Sequence, residues 1–331
     1  MLRLGVWRLE QFFPAAPSQL SSYLFYRVSR GRVSLRLLAA ADDQQFEQLM
    51  RHVQLANGVY RTTFRNRFHN LDPVVNEVLR ANFRPQEKLL VEDWAASACL
   101  TSYEWAQTLL PLFPGLRFTA SDVALFLIEV EDRRSGDIFI ADQDGRLLQF
   151  VRPPFVVSVQ PPEPWYVPVN RLLCESAKTR WQKSAGLWPL PAEWLDARGE
   201  AALVREPYVV RKLPLVHPNA MALARSDARF SICRHSVFER SQTPCHVIRS
   251  MNILNRAYFS EVELTQAARA VIGSLRTHGI WVVGRTIDDE SSVHDASVFR
   301  KGSSGELELI SRMGNGAEIE RLALDLTLAT R

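Results

Sequence analysis

The sequence predicts an α/β fold: a mostly parallel sheet with an antiparallel hairpin at its C-terminal edge, behind a helical N-terminal segment. Three observations predict it. LLVEDWA, an apolar run starting after Lys88, leads into a helical stretch and then a second run, RFTASDV. From Cys245 to Thr286 a strand, a polar loop, an amphipathic helix, a glycine and another apolar strand follow one another. Two further apolar runs, Ala296 to Arg300 and Glu306 to Ile310, flank the turn sequence KGSSG. Strands alternating with helices build parallel sheets, and a short glycine-containing link between strands builds a hairpin.

The first 85 residues read as a helical cap. Asp42 to Tyr60 carries Phe46, Leu49, Met50 and Val53 on one helical face. Asp72-Pro73 predicts a second helix start, with Asp72 as N-cap and Pro73 at the first helical position, followed by the stripe Val74, Val75, Val78, Leu79 and Phe83. RTTFRNRFHN, Arg61 to Asn70, lies between them. It reads either as a connection with Phe64 and Phe68 tucked into the core or as a lid over a substrate.

The α/β part spans 86–331, with an insert at about 130–210. Thr101 and Glu104 match a capping box, and Trp105, Leu109 and Leu110 give that helix its apolar face before Pro111 to Pro114. Within the insert, DIFIA and RLLQFV flank Asp144-Gly145, a hairpin signal. Pro153 to Pro168 predicts an extended connection, Asn170 to Ser184 a helix and Trp188 to Pro191 a break. Tyr208 to Leu215 and Phe230 to Phe238 read as strands. Ser260 and Glu263 form another capping box, with Leu264, Ala268, Val271, Ile272 and Leu275 on one face. Gly279 ends that connection, Ile280 to Gly284 is a strand, and Ala317 to Leu326 a final helix.

Composition narrows the function classes. The chain has 331 residues, 47% of them hydrophobic and 23% charged, which is ordinary for a globular protein with a real core. No apolar run reaches membrane-spanning length and the first residues lack a signal-peptide pattern, so a cytoplasmic protein without a membrane partner is expected. Cys99, Cys174, Cys233 and Cys245 form no CxxC pair, and no histidine cluster has zinc-ligand spacing, so free thiols and no metal are expected. Net charge is +4, almost all of it from scattered arginine interleaved with acids, which gives no nucleic-acid footprint.

Candidate site residues collect at strand ends. In an open α/β sheet ligands bind beyond the carboxyl ends of the strands. Asp93, Ala95 and Ser97 sit between the first strand and its helix, where free N–H groups suit a phosphate or carboxylate. Asp122 ends the next strand, where a carboxylate can accept from a ribose diol. Asn252, Asn255 and Tyr258 follow a later strand; an amide both donates and accepts, and a tyrosine hydroxyl can orient or deprotonate a substrate. Each also has a structural reading: Asp93 satisfies loop amides, Asp122 caps the following segment, Asn252 holds a turn and Tyr258 enters the core. His217 follows a strand and is a candidate base. No G-x-S-x-G elbow and no G-x-G-x-x-G after a strand is present. Trp165, Tyr166 and Trp181 either line a pocket or fill the core.

The segments EDWAASACLTSYEW, SDV and IRSMNILNRAYF, with the hairpin SVFRKGSSGELELI, resemble class I S-adenosylmethionine (SAM)-dependent methyltransferases. More narrowly, ASACLTSYEWA, NILNRAYF and LRTHGIWVVGRT are similar to segments of chemotaxis-receptor methyltransferases. The resemblance covers residues 88–325 outside the insert. It implies a Rossmann-like sheet, SAM as cofactor, and Asp93, Ala95, Ser97, Asp122, Val237 and Asn252 as cofactor-binding positions. Tyr258, Asn255 and His217 would then serve the methyl acceptor, a small molecule. The chain departs from the family: Ala95, Ala96, Ser97, Ala98 and Cys99 stand where glycines are usual, His235-Ser236 where an acid accompanies adenine, His246 where many members have aspartate, and Met251 where the chemotaxis group has arginine. Glutamate methylation of receptors is therefore not carried over. Two alternatives remain open, an intramolecular cyclisation of SAM releasing methylthioadenosine and a non-catalytic binding protein. A homodimer is left open as well.

Overall fold

The computed structural model of the chain describes residues 34–51, 53, 55, 61, 63–152, 155–159, 168–196, 202–288 and 291–328. The elements begin with α1 (Asp43–Met50), α2 (Leu71–Asn82), β1 (Leu90–Trp94), α3 (Leu100–Leu112), β2 (Arg117–Asp122), β3 (Phe126–Asp132), β4 (Asp137–Ala141), β5 (Leu147–Arg152) and β6 (Phe155–Ser158). They continue with α4 (Pro168–Gln182), α5 (Ala192–Asp196), β7 (Leu203–Arg205), β8 (Tyr208–Pro214), α6 (Pro218–Ser226), β9 (Phe230–Arg234) and β10 (Cys245–Met251). The last are α7 (Glu261–Ser274), β11 (Leu275–Asp288), β12 (Val293–Lys301), β13 (Leu307–Met313) and α8 (Glu320–Leu328).

Two compact units result, one of residues 1–63 and 124–217, the other of 64–123 and 218–331. This differs from the expected division at residue 85. Helix α2 belongs with the parallel sheet, because Asp72 on it pairs with Arg249 in β10. The described residues before 63 group instead with the 124–217 segment, where Arg36 pairs with Glu129 of β3 and the Leu35 N–H donates to Gln149 of β5.

The first unit holds a six-stranded sheet in the order β6-β5-β4-β3-β8-β7, antiparallel throughout. The expected Asp144-Gly145 hairpin is present: β4 pairs with β5, and Gly145 takes a left-handed φ of 82°. One sheet face packs on α4 and α5 through Phe139, Phe150, Val210, Ala177 and Trp194. Trp181 lies in this core against Phe139 and Trp188. Trp165, Tyr166 and most of the proline-rich connection lie outside the described residues.

The second unit is built on a seven-stranded, Rossmann-like sheet in the order β13-β12-β11-β10-β1-β2-β9. From β11 to β9 every pairing is parallel; β12 and β13 complete the edge antiparallel, as expected. One face carries Trp94, Ile248, Trp281 and Val283, buried under Leu264, Ala268 and Val271 of α7 and Ala323 of α8. The predicted Ser260–Glu263 capping box starts α7, but the helix ends at Ser274, so Leu275 opens a strand.

The opposite face carries a buried ion cluster. Arg249 of β10 is fully buried and donates from Nε to Asp93 Oδ1 at 2.9 Å, from Nη2 to Asp93 Oδ2 at 2.5 Å and from Nη1 to Asp72 Oδ1 at 2.8 Å. Ser102 Oγ donates to Asp93 Oδ2 at 2.6 Å, and the Thr101 carbonyl accepts from Arg249 Nη2. The Trp105 and Phe68 rings lie 4.2 and 5.0 Å from the guanidinium. Phe68 is therefore a core residue, the first of the two readings of its segment.

This cluster overrides two local helix signals. Asp72 does not cap α2; the helix begins at Leu71 after Asn70, and the carboxylate faces Arg249. Thr101 and Glu104 form no capping box either. Helix α3 starts at Leu100 behind a left-handed Cys99, and Glu104 accepts from the Asn66 N–H. Leaving Arg249 buried with a partner missing would cost more than the roughly 1 kcal/mol a cap contributes. Removing the cation alone leaves the buried Asp93 carboxylate without a counter-charge and Asp72 without its donor. Arg249→Met is expected to lower unfolding stability by about 3–5 kcal/mol, read from urea denaturation; a loss below about 1 kcal/mol would contradict the cluster.

Candidate functional site

The carboxyl edge of the parallel sheet is organised around the segment between β1 and α3. Ala95, Ser97 and Cys99 all take left-handed backbone conformations, with φ of 55°, 53° and 57°. None is glycine, and the left-handed region costs an L-residue roughly 1–2 kcal/mol. Three such residues at alternate positions trace a tight path that glycines would follow without strain. Hydrogen bonds hold it: the Ala96 N–H donates to the Ser121 carbonyl, the Cys99 N–H to the Ala96 carbonyl, and the Ser97 N–H to Asp122 Oδ2 at 2.8 Å. Strain of this kind, held by its surroundings, concentrates at binding sites.

Neighbouring strands extend the edge on both sides. Towards β9, the His235 N–H donates to the Asp122 carbonyl, and the His235 ring lies 4.5 Å from that of Trp94. Burial holds the His235 imidazole below its ordinary pKa. Its Nε2 and the Ser97 hydroxyl are both buried polar atoms without a hydrogen-bond partner among the described residues. Buried polar atoms are normally paired, and these two lie along one edge of the sheet. The sequence placed His235 where the family has an acid beside adenine but gave it no role of its own; its position directly after the β9 strand run was the signal.

Towards β11, Asn252 sits at φ 61° just past β10. Its Oδ1 accepts the Thr286 N–H at 2.6 Å, its Nδ2 donates to Thr286 Oγ1, and its own N–H donates to the Gly284 carbonyl. The side chain thus clamps the ends of β10 and β11 together. Asn255 is buried and folds its own loop: Oδ1 accepts the Ala257 N–H and Nδ2 donates to the Ile253 carbonyl. Tyr258, on that loop, is 45% exposed.

The structure therefore brings Ala95, Ser97, Asp122, Asn252, Asn255 and Tyr258 to one edge of one sheet. Val237 is buried in the adjoining apolar cluster with Trp94 and Leu254. Asp93 lies one layer below, both oxygens held by Arg249 and Ser102, so it positions the strand end instead of presenting a free carboxylate. His217 belongs to the other unit, where its ring meets Phe46 edge-on and its Nε2 lies 3.5 Å from Glu47 Oε1. Arg249, the residue that fixes Asp93, was missed in the sequence; a lone arginine inside the strand VIRSM was its signal.

No family model and no curated protein sequence matches the chain. Solved structures do. The glycopeptide N-methyltransferase MtfA is similar over 68% of this chain and 58% of its own, at 8% identity and a TM-score of 0.28. MtfA has also been solved with S-adenosyl-L-homocysteine. The Escherichia coli protein YjhP is similar over 67% of this chain and 49% of its own, at 9% identity and a TM-score of 0.27. The PH0226 protein of Pyrococcus horikoshii is similar over 80% of each chain, at 10% identity and a TM-score of 0.31. The chain thus spans about half the length of YjhP and 58% of MtfA.

The left-handed path gives a direct test. Ala95→Gly relieves a strained φ and is expected to raise stability by about 1 kcal/mol. Ala98→Gly, at a residue outside the left-handed set, is expected to lower it by about 1 kcal/mol. Equal losses for both in thermal denaturation would contradict the loop conformation.

Proposed function

We propose that the second unit binds SAM at the carboxyl edge of its parallel sheet and transfers the methyl group to a small molecule. The observation that carries this reading is the left-handed Ala95–Ser97–Cys99 path with its amide on Asp122, in the segment where the resemblance puts glycines. The segment resemblance across β1, β2 and β10 supports the same reading.

The roles follow from the geometry. The Ser97 hydroxyl and His235 Nε2, both unpartnered, would take polar atoms of the cofactor. Asp122 stands at the strand end where a carboxylate can accept from a ribose diol. Val237 would supply an apolar contact for an adenine ring. Bound SAM supplies a sulfonium methyl, an electrophile whose leaving group needs no protonation. What the chain must then provide is alignment of the acceptor with that methyl, because positioning carries most of the rate in such a transfer. Tyr258, exposed on a loop that Asn255 holds from within, would orient the acceptor or take its proton. Asn252 acts through the backbone by locking β10 to β11 beneath that loop.

Calorimetric titration with SAM and S-adenosylhomocysteine tests the site. Asp122→Asn is expected to weaken SAM binding about tenfold, one charge-assisted hydrogen bond's worth. Tyr258→Phe is expected to lower turnover with affinity kept within about twofold. Native protein that binds neither compound, or variants with full affinity and turnover, would contradict the assignment. Methylthioadenosine in place of S-adenosylhomocysteine as product would select the cyclisation chemistry.

A further inference from the structure

The opposite edge of the same sheet carries a second feature, independent of the SAM reading. A cavity of about 480 Å³ lies at the amino ends of the parallel strands, lined by Lys88, Arg117, Arg229, His246 and Arg276 over an apolar floor that includes Leu90 and Leu116. Five adjacent parallel strands each bring one basic side chain to this place. Lys88 precedes β1, Arg117 opens β2, Arg229 precedes β9, and His246 and Arg276 are the second residues of β10 and β11. The scattered arginines of the sequence thus converge only in the fold.

Their charge is largely uncompensated. Arg229 is neutralised by a two-pronged pair with Asp227, Nε to Oδ1 at 3.0 Å and Nη2 to Oδ2 at 2.6 Å. Lys88 and Arg117 make no ion pair among the described residues. The nearby Glu87 side chain accepts from the Arg84 N–H within its own turn. Charged side chains left without partners around a hollow favour an anion.

The hydrogen-bond pattern at His246 points the same way. Nδ1 accepts the Leu90 N–H at 3.0 Å, which places the proton of a neutral ring on Nε2. That Nε2 lies 2.8 Å from Nη1 of Arg276. Two N–H donors therefore face one another without an acceptor. Burial, and then Arg276, hold the imidazole below its ordinary pKa, so the ring is neutral near pH 7. An anionic oxygen seated beside them accepts from both.

We propose that this cavity binds a phosphate-bearing small molecule, its phosphate oxygens held by Lys88, Arg117, Arg276 and the Nε2–H of His246 and its remainder resting on Leu90 and Leu116. The volume suits a small ligand, since such pockets commonly run about 300–1,000 Å³. The uncompensated cations Lys88, Arg117 and Arg276 line one hollow with an apolar floor, which favours a compact anion over an extended nucleic-acid backbone.

The test is titration of the full chain with inorganic pyrophosphate and with adenosine diphosphate at constant ionic strength, read by calorimetry and by melting temperature. Submillimolar binding is expected, weakened about tenfold or more by Arg117→Gln and by Arg276→Gln and unchanged by Arg321→Gln outside the cavity. Both cavity arginines are exposed, so the variants keep their fold, checked by circular dichroism. SAM affinity is expected to be unchanged in them, which separates this site from the opposite edge. The proposal is overturned if stabilisation does not exceed that by chloride, if all three variants respond alike, if SAM displaces the pyrophosphate, or if a short single-stranded oligonucleotide binds more tightly than either probe.

Discussion

The second unit depends on one buried guanidinium. Arg249 sits at the centre of the parallel sheet with no exposure to water; its charge is answered by Asp93 on the adjacent strand, and Asp72 on the helix above accepts a further hydrogen bond. A charge in a dry interior is tolerated only when its hydrogen bonds are met, and here both carboxylates, the Thr101 carbonyl and two aromatic rings surround it. Four elements, β1, β10, α2 and α3, are thereby held in one relation. Packing two apolar layers would fix their separation; the ion cluster also fixes their register.

That register reaches the carboxyl edge of the sheet. Asp93 is bound from below, so the chain leaving Trp94 has its direction set before the turn to α3 begins. The turn then passes through three left-handed residues and returns an amide to Asp122. On the far side Asn252 closes β10 onto β11. The edge is thus a rigid frame bearing a few unsatisfied polar atoms, Ser97 Oγ and His235 Nε2. Such a frame suits a reaction in which reactants are aligned and little proton transfer is required. It also explains how alanine, serine and cysteine stand in a place that suits glycine: the strain is balanced by hydrogen bonds around it.

Much of this was legible in the sequence where local signals agree with the fold. The strands at Leu90, Arg117 and Cys245, the Ser260–Glu263 cap and the Asp144-Gly145 hairpin all follow from short-range pattern. The convergence of Asp122, Ser97 and Asn252 was legible because carboxyl ends of parallel strands share an edge. What stayed hidden was set by long-range charge. Asp72 read as a cap because nothing local announces a partner 177 residues away, and Thr101–Glu104 read as a capping box although Glu104 accepts from the Asn66 N–H. The 130–210 segment was read as an insert because the resemblance does not cover it; its six-stranded sheet stayed hidden apart from the Asp144-Gly145 hairpin, and its strands carry the charges of Glu129, Glu131 and Arg211. His217 looked like a base after a strand, yet it is buried against Phe46.

The measurement that tests the ion cluster most directly is unfolding free energy against pH for the native chain and Asp72→Asn. Burial, partly offset by Arg249, raises the Asp72 pKa from 3.8 to about 7. Between those values the folded chain holds a proton that the unfolded chain has released, so the Asp72 contribution falls as pH rises from about 4 to about 7 and levels off above. His235 and His246, held below their ordinary pKa, act in the opposite sense, and they cancel in the difference between the two proteins. The account predicts that the native chain loses stability relative to Asp72→Asn across that window. A difference that does not vary with pH would contradict a buried Asp72 beside Arg249.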